Sequence, residues 1–287
     1  MSQPPALVLP DTGEVCLLTP EAMAEWWRAQ GRKVCQFRGR LWEEVRPGGY
    51  FQPIHPLARL RKDEIARPRW WAWGFRAAVA DTDRDFANAT LPTQLLANLA
   101  DYDLGQLPPR RRTYLRGCLK AVRLVRLDRT LMEEQGFAVA CSSIRRTGYL
   151  KVPSPAEYRQ SLSADFLRPE VVLLGGLVDG RLGGYIVAYA IEGTAYIERV
   201  LIASEFLDYN ITTGVVYQFA QMCRRHGGIR EMVYGLHSRE DDKLCQFKEH
   251  MRFSVVPVPS RIYLNPLMSH YVKWRQPHVH YRMTGLP

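Results

Sequence analysis

From residue 171 onward, apolar and polar side chains alternate in short runs broken by turn residues. Residues 171–178 are an apolar run that predicts a strand. Asp179-Gly180-Arg181 supplies a tight turn. Residues 182–192 set Tyr185, Val187 and Tyr189 against Ile186, Ala188 and Ala190, a second strand, and Gly193 turns into a third over 195–203. The period then changes from two to about 3.6. Ile211, Val215, Val216, Phe219, Ala220 and Cys223 recur on one side of a helix that runs to His226 and stops at Gly227-Gly228. A strand over 230–236, a helix over 240–251 and a strand over 253–258 complete an order of β-β-β-α-β-α-β.

Upstream, two helix starts are sharp because proline follows a hydroxyl cap. Thr19-Pro20-Glu21 opens a helix that Gly31 ends, and Ser154-Pro155-Ala156-Glu157 is a capping box. Residues 33–80 alternate loosely and hold Trp70, Trp71, Trp73 and Phe75, read as packing or as the wall of a pocket or interface. Residues 92–104, with Leu95, Leu96 and Leu99 on one side, predict a helix. Pro108-Pro109 starts another, with Tyr114, Leu115, Cys118, Leu119 and Val122 on its apolar face. A further helix is expected over 130–146, ending at Gly148.

Composition adds a charge pattern. The chain has 287 residues, 46% hydrophobic and 24% charged, with a formal net charge of +10. These values exclude a disordered, collagen-like or coiled-coil chain, and the length allows two domains of roughly 140 residues or one larger one. Residues 108–129 hold eight basic side chains and one acidic one, so most of the excess sits there. Arg112, Arg116, Lys120 and Arg123 repeat at helical spacing and repel one another, a standing cost that an anionic partner would relieve. No apolar run is long enough to span a bilayer. Residues 1–10 show no basic run of a signal peptide. Six scattered cysteines without a C-x-x-C pair suit reduced thiols, so a cytoplasmic location is expected. His278 and His280, an H-x-H pair on a possible strand, lack further ligands, and no metal is expected. No base-reading motif is present, so sequence-specific DNA binding is not expected.

The strand order and its punctuation resemble the GNAT acyltransferase fold, including the Asp179-Gly180 hairpin. The closing unit Lys243-Leu244-Cys245-Gln246-Phe247-Lys248-Glu249-His250-Met251-Arg252-Phe253 is similar to the "lyxFKexxGF" signature of the FemABX-like branch, with Arg252 in place of the glycine. Pro108-Pro109-Arg110-Arg111-Arg112-Thr113-Tyr114-Leu115-Arg116 is similar to that branch's "kxRRxlrxa" segment. The resemblance spans residues 90–258. It implies an α/β (α+β) fold with a mixed, mostly antiparallel sheet flanked by helices, in two GNAT-like halves of which the first is degenerate. On this reading residues 1–107 form the degenerate or accessory half, 108–152 a basic helical connector and 153–287 the acyltransferase half.

The resemblance also implies a site. In GNAT folds the third and fourth strands of this set splay apart, and backbone N–H groups there polarise the donor's carbonyl. Carried over, those groups belong to Val200, Leu201 and Ile202. The attacking amine must lose a proton, and Glu198 and His237 are the candidate bases. Tyr234 and Tyr263 are candidate acids for the leaving thiolate. Each has a plainer reading: Glu198 paired with Arg199 or Arg230, His237 in a loop without a role, the tyrosines as packing.

GNAT enzymes that use acyl-CoA carry Q/R-x-x-G-x-G/A before the next helix, where backbone amides wrap the pyrophosphate. Here residues 204–214 contain no early glycine, and Glu205 and Asp208 oppose an anion. Asn210, Thr212 and Thr213 remain as donors, or Asn210 as a helix cap. The expected activity is N-acyl transfer from an activated carrier, acyl-CoA in the first instance, to a small-molecule or peptide amine. The alternative donor is an aminoacyl-tRNA, as the FemABX-like branch allows, bound through Arg111, Arg112, Arg116 and Lys120. A non-catalytic GNAT-like binding module is the third reading.

Overall fold

The computed structural model describes residues 11–286; residues 1–10, on which the expectation about a signal peptide rests, lie outside them. In chain order the first elements are β1 (Leu17–Leu18), α1 (Pro20–Ala29), β2 (Val34–Phe37), β3 (Arg40–Arg46), β4 (Tyr50–Pro53), β5 (Gly74–Ala78) and β6 (Ala89–Leu96). Then come α2 (Pro109–Ala121), β7 (Arg123–Arg126), α3 (Arg129–Leu131), a π-helical turn at Met132–Gly136 and α4 (Phe137–Thr147). They are followed by α5 (Pro155–Asp165), β8 (Val172–Val178), β9 (Arg181–Ile191), β10 (Thr194–Ile202) and α6 (Ile211–His226). The chain ends with β11 (Glu231–Leu236), α7 (Asp242–His250), β12 (Ser254–Leu264), α8 (Pro266–Arg275) and α9 (Pro277–Thr284).

These elements fall into two compact units. The first comprises the described residues up to Leu17, Leu96–Met232 and His250–Arg252. Its sheet runs β10-β9-β8-β7, antiparallel throughout. The three strands expected here form within one residue of their expected ends, and α6 spans the expected residues. β8 is buried along its whole length. Its Gly176, with Gly183 of β9, leaves the space that seats Ile211: a Cβ on either glycine would come within 2.7 Å of that side chain. The first residue of α6 is thereby fixed over the sheet. α2 lies against α6 at Gly214, where a Cβ would stand 2.6 Å from Cys118 Sγ. The helix expected over 130–146 contains the π turn, whose Met132 carbonyl accepts from the buried Tyr158 hydroxyl at 3.0 Å. The capping box at Ser154 forms as expected, and Gly148 ends α4 in the left-handed region.

The second unit comprises Leu18–Leu95, Val233–Glu249 and the residues from Phe253 on. Its sheet order is β2-β3-β4-β5-β12-β6, with β11 beyond β6. β4 and β5 run parallel, whereas β12 pairs antiparallel with both β5 and β6. One core centres on Trp42, Phe51, Leu60 and Phe75, another on Tyr50, Val272, Val279 and Met283.

Several expectations are corrected. The helix expected over 92–104 does not form: β6 occupies Ala89–Leu96, and a 3-10 turn begins at Leu104. Leu91–Leu96 are buried on both faces, which erased the alternation and left a leucine spacing that imitates a helix. β12 continues to Leu264, past the expected end at residue 258, and runs through Pro257 and Pro259. α2 stops at Ala121, so Arg123 lies on β7 and leaves the basic stripe. His278 and His280 sit on helix α9, where a spacing of two points them to different sides, His278 exposed and His280 buried. In the tryptophan cluster only Phe75 is buried, and Trp73 packs on Tyr50. Trp70 and Trp71 are exposed. Four cysteines are buried as expected, Cys16 is exposed, and all six are free. Among the described residues no helix is long and apolar enough to cross a membrane.

Candidate active site

In the first unit the site is built where β10 ends and α6 begins. The β10–β9 register shifts between Ile197 and Arg199, so Glu198 stands on a β-bulge. A bulge unpairs one residue and turns the strand at that point. Arg199 donates to Ser161 Oγ at 2.8 Å and to Asp165. Val200, Leu201 and Ile202 follow the bulge and pair with Ile186, Tyr185 and Gly184. In an antiparallel ladder successive residues bond to opposite neighbours, so only part of this backbone is spent on β9. The Ile202 carbonyl accepts from Arg146 Nη1 at 3.0 Å, and the Ala203 N–H donates to Gly183 at 3.0 Å.

Beside this point lies a hollow of about 640 Å³ lined by Phe137, Cys141, Ser142, Arg145, Arg146 and Ser204. Ser142 Oγ accepts from the Ser204 N–H at 3.0 Å, which ties α4 to the turn leading into α6. The hollow combines an apolar wall with two guanidinium groups.

Asn210 adopts a left-handed conformation, φ 55°, at the start of α6. Its side chain donates to the Asp208 carbonyl at 2.9 Å and does not cap the helix. Its backbone carbonyl accepts from Thr213 N–H at 2.9 Å. Thr212 is half-buried, and Thr213 is buried with its hydroxyl accepting from Arg111 Nη1 at 3.3 Å. Arg111 on α2 thus reaches the first turn of α6, where backbone amides already favour an anion. Burial lowers the pKa of this half-buried guanidinium. Arg112 and Arg116 are half-buried and Lys120 exposed. Glu205 is 3.8 Å from Arg181, an exposed pair that offsets one of the two acidic side chains in the loop.

In the second unit a polar cluster gathers around the end of β11. His237 is half-buried, its N–H donates to the Pro92 carbonyl at 2.7 Å, and its Nδ1 lies 3.1 Å from Tyr281 Oη. Arg239 stacks on the Tyr281 ring with its guanidinium carbon 3.5 Å from the centroid. Tyr234 is buried between Phe247 and Phe253, and burial holds its pKa far above the ordinary tyrosine range, which makes it a poor acid. Over its ring, at 4.9 Å, lies Lys248 Nζ. Lys248 is 4% exposed, and burial pushes its pKa down to about 8. Tyr263 stands apart from this cluster on β12, stacked on Phe75 and touched by Arg67.

Neither Lys248 nor Tyr281 was among the expected site residues. The signal for Lys248 was its place beside Phe247 and before Phe253, an amine between two aromatics on a helix that buries its inner face. Tyr281 lies 44 positions from His237, and no local pattern joins them. Among the described residues no group of three or more histidine, cysteine or acidic side chains is arranged to hold a metal.

The arrangement defines a class of fold. A mixed, mostly antiparallel sheet flanked by helices, with a bulged strand leading into a helix, is the GNAT-like architecture that the strand order implied. The particular likenesses are distant in sequence. No protein-family model matches the chain, and no curated protein matches it. The crystal structure of FemX is similar over 87% of this chain and 92% of that one, with a TM-score of 0.60 at 12% identity. The C-terminal DUF2156 domain of a putative lysylphosphatidylglycerol synthetase from Agrobacterium fabrum is similar over 88% and 91%, with a TM-score of 0.57 at 13% identity. The L-PGS structure from Bacillus licheniformis is similar over 96% and 99%, with a TM-score of 0.54 at 11% identity. The chain therefore has the fold of FemX, of that DUF2156 domain and of the L-PGS structure along most of its length.

Proposed function

We propose that the protein transfers an acyl group, and in particular an aminoacyl group, from an activated carrier to an amine. The observation that carries this reading is the contact of Arg111 with Thr213 at the start of α6. A GNAT enzyme that uses acyl-CoA holds the pyrophosphate there with a glycine-rich loop. This chain has no such loop and instead turns a helix bearing Arg111, Arg112, Arg116 and Lys120 toward the same turn of α6. A cationic helix suits a polyanionic carrier such as an RNA acceptor end better than one pyrophosphate. The likeness to FemX and to synthetases of lysylphosphatidylglycerol, each over most of both chains, supports the aminoacyl form.

In this mechanism the acceptor's nitrogen lone pair attacks the ester carbonyl of the aminoacyl donor. The C–N bond forms as the C–O bond to the ribose breaks, and the ribose oxygen leaves carrying a proton. Backbone N–H groups at Val200–Ile202 stabilise the oxyanion that develops on the carbonyl oxygen. Glu198, on the bulge before them, takes the proton that the attacking nitrogen sheds and returns it to the leaving ribose oxygen. With a thioester donor the same steps break a C–S bond, and that reading is favoured if the hollow beside Ser204 holds the anionic end of CoA.

The test is discharge of donors by the purified chain. Aminoacyl-tRNA carrying a labelled amino acid and labelled acetyl-CoA are each offered with a mixture of amines. Discharge of the tRNA that falls about tenfold or more in Glu198→Gln is the expected result. Transfer from acetyl-CoA alone would shift the assignment to acyl-CoA. Transfer from neither donor would leave the non-catalytic binding reading.

A further inference from the structure

Helix α8 presents the wrong face to its own unit. Of its apolar side chains only Val272 is buried, packed with Tyr50, Val279 and Met283. Leu267, Tyr271 and Trp274 are exposed by 82%, 55% and 73%. At spacings of four and three they fall on one narrow stripe of the helix. A surface helix of a soluble domain normally turns such a stripe inward. Arg275 borders the stripe and Lys273 lies further round the helix, both exposed, and the segment from Asn265 to Pro287 contains no acidic residue. The backbone also joins the start of α8 to the tryptophan turn, because the Asn265 N–H donates to the Trp73 carbonyl at 2.7 Å. In that turn Trp70 is 84% exposed, beside the exposed Arg69.

We infer that α8, with the Trp70 turn as a second contact, is a docking surface for an anionic phospholipid bilayer. Leucine with tryptophan and tyrosine suits the headgroup boundary, where an aromatic ring keeps one end apolar and the other wet. Lysine and arginine beside them reach the lipid phosphates while their alkyl stems lie along the apolar face. A protein partner or a second copy of the chain would bury the same stripe. The absence of acidic residues from the whole segment favours a surface of uniform negative charge. The helix is too short and too charged to span, so the contact is interfacial. It is independent of the transfer reaction.

The test uses the full chain with sedimented vesicles of phosphatidylcholine, alone or mixed with phosphatidylserine. The expected result is binding to the mixed vesicles, little to phosphatidylcholine alone, and a blue shift of tryptophan emission on binding. Leu267→Ser with Trp274→Ser should weaken binding roughly tenfold or more with an unchanged melting temperature, since both side chains are already in water. Lys273→Gln with Arg275→Gln should weaken it to a similar degree and flatten its dependence on salt. No binding to the mixed vesicles overturns the proposal, as does binding equal in the wild type and the serine variant. So does a wild-type dimer that the serine variant splits into monomers while neither form binds vesicles, because the stripe is then an interface between copies.

Discussion

Lys248 carries an ammonium group into a place where its charge is costly. Burial lowers its pKa from the ordinary lysine value to about 8, and its ammonium lies over the π-face of Tyr234. The unfolded chain, with an ordinary lysine, binds the proton up to about pH 10.4. Between those values the unfolded state holds more protons than the folded one, so stability rises with pH across that window. Below about pH 8 both states are protonated and the full cost is present. Lys248→Met should therefore stabilise the fold near pH 7, on the order of 2–3 kcal/mol, and the gain should vanish toward pH 10. Melting temperatures of the two proteins across that range test this, and a difference independent of pH would contradict it. A buried amine that carries such a cost is a candidate for a functional role. Lost transfer in a better-folded Lys248→Met variant would separate that role from a structural one. Arg252 illustrates a different residue-scale cost. It occupies the glycine position of the FemABX-like signature and adopts the left-handed φ of 72° that glycine would take there freely. The Phe253 N–H closes the helix end on the Lys248 carbonyl at 2.9 Å, and Arg252 donates to the Gln106 carbonyl. The backbone geometry of the signature is thus kept without its glycine.

At the scale of elements, the start of α6 is where local choices combine. Gly176 and Gly183 admit Ile211, and Gly214 admits Cys118, whose thiol burial pushes up to about 12 and renders inert. Gly214→Ala sets two effects against each other. Alanine gains about 1 kcal/mol of helix propensity, but its Cβ meets Cys118 Sγ, and overpacking costs about 1–3 kcal/mol. The net effect should be destabilising in the native background and stabilising in Cys118→Ala, where the sulfur is gone. Unfolding free energies of the four proteins of this double-mutant cycle decide it; the same sign in both backgrounds would show that α2 and α6 do not meet as described. The elements of this half were legible because hairpin turns, a capping box and helix stops punctuate a clear change of period between strands and helix. Residues 89–96 were not, because β6 is buried on both faces, and neither was the full length of β12, which runs through two prolines. The site was legible in part. Glu198 and the start of α6 lie on elements whose ends the sequence marks. The bulge itself depends on how β10 and β9 pair, and the Lys248–Tyr234 and His237–Tyr281 contacts depend on packing that local pattern does not encode.

On the scale of the whole molecule, the net charge of +10 is gathered rather than spread, and α2 holds the densest part of it. Its Arg111 touches the first turn of α6, and its other basic side chains extend along the helix from that point. If the carrier is a nucleic acid, each cation that meets a phosphate releases a counterion, and affinity falls steeply as salt rises. Removing three such contacts should weaken binding and reduce the slope of log affinity against log salt by roughly two to three, at about 0.7–0.9 per phosphate. Arg111→Gln, Arg112→Gln and Arg116→Gln combined should therefore flatten the salt dependence of tRNA binding, measured by filter retention or fluorescence anisotropy. The same variant should retain its fold, because the buried contacts of α2 are made by Leu115 and Cys118. If the carrier is CoA, only a few phosphates are involved. The wild type should then show a shallow slope, and Arg111→Gln alone should account for most of the loss. A steep slope that the triple variant leaves intact would move the polyanion away from α2. The helix would then be a solvated face, and the hollow beside Arg145 and Arg146 would be the next place to test for the donor.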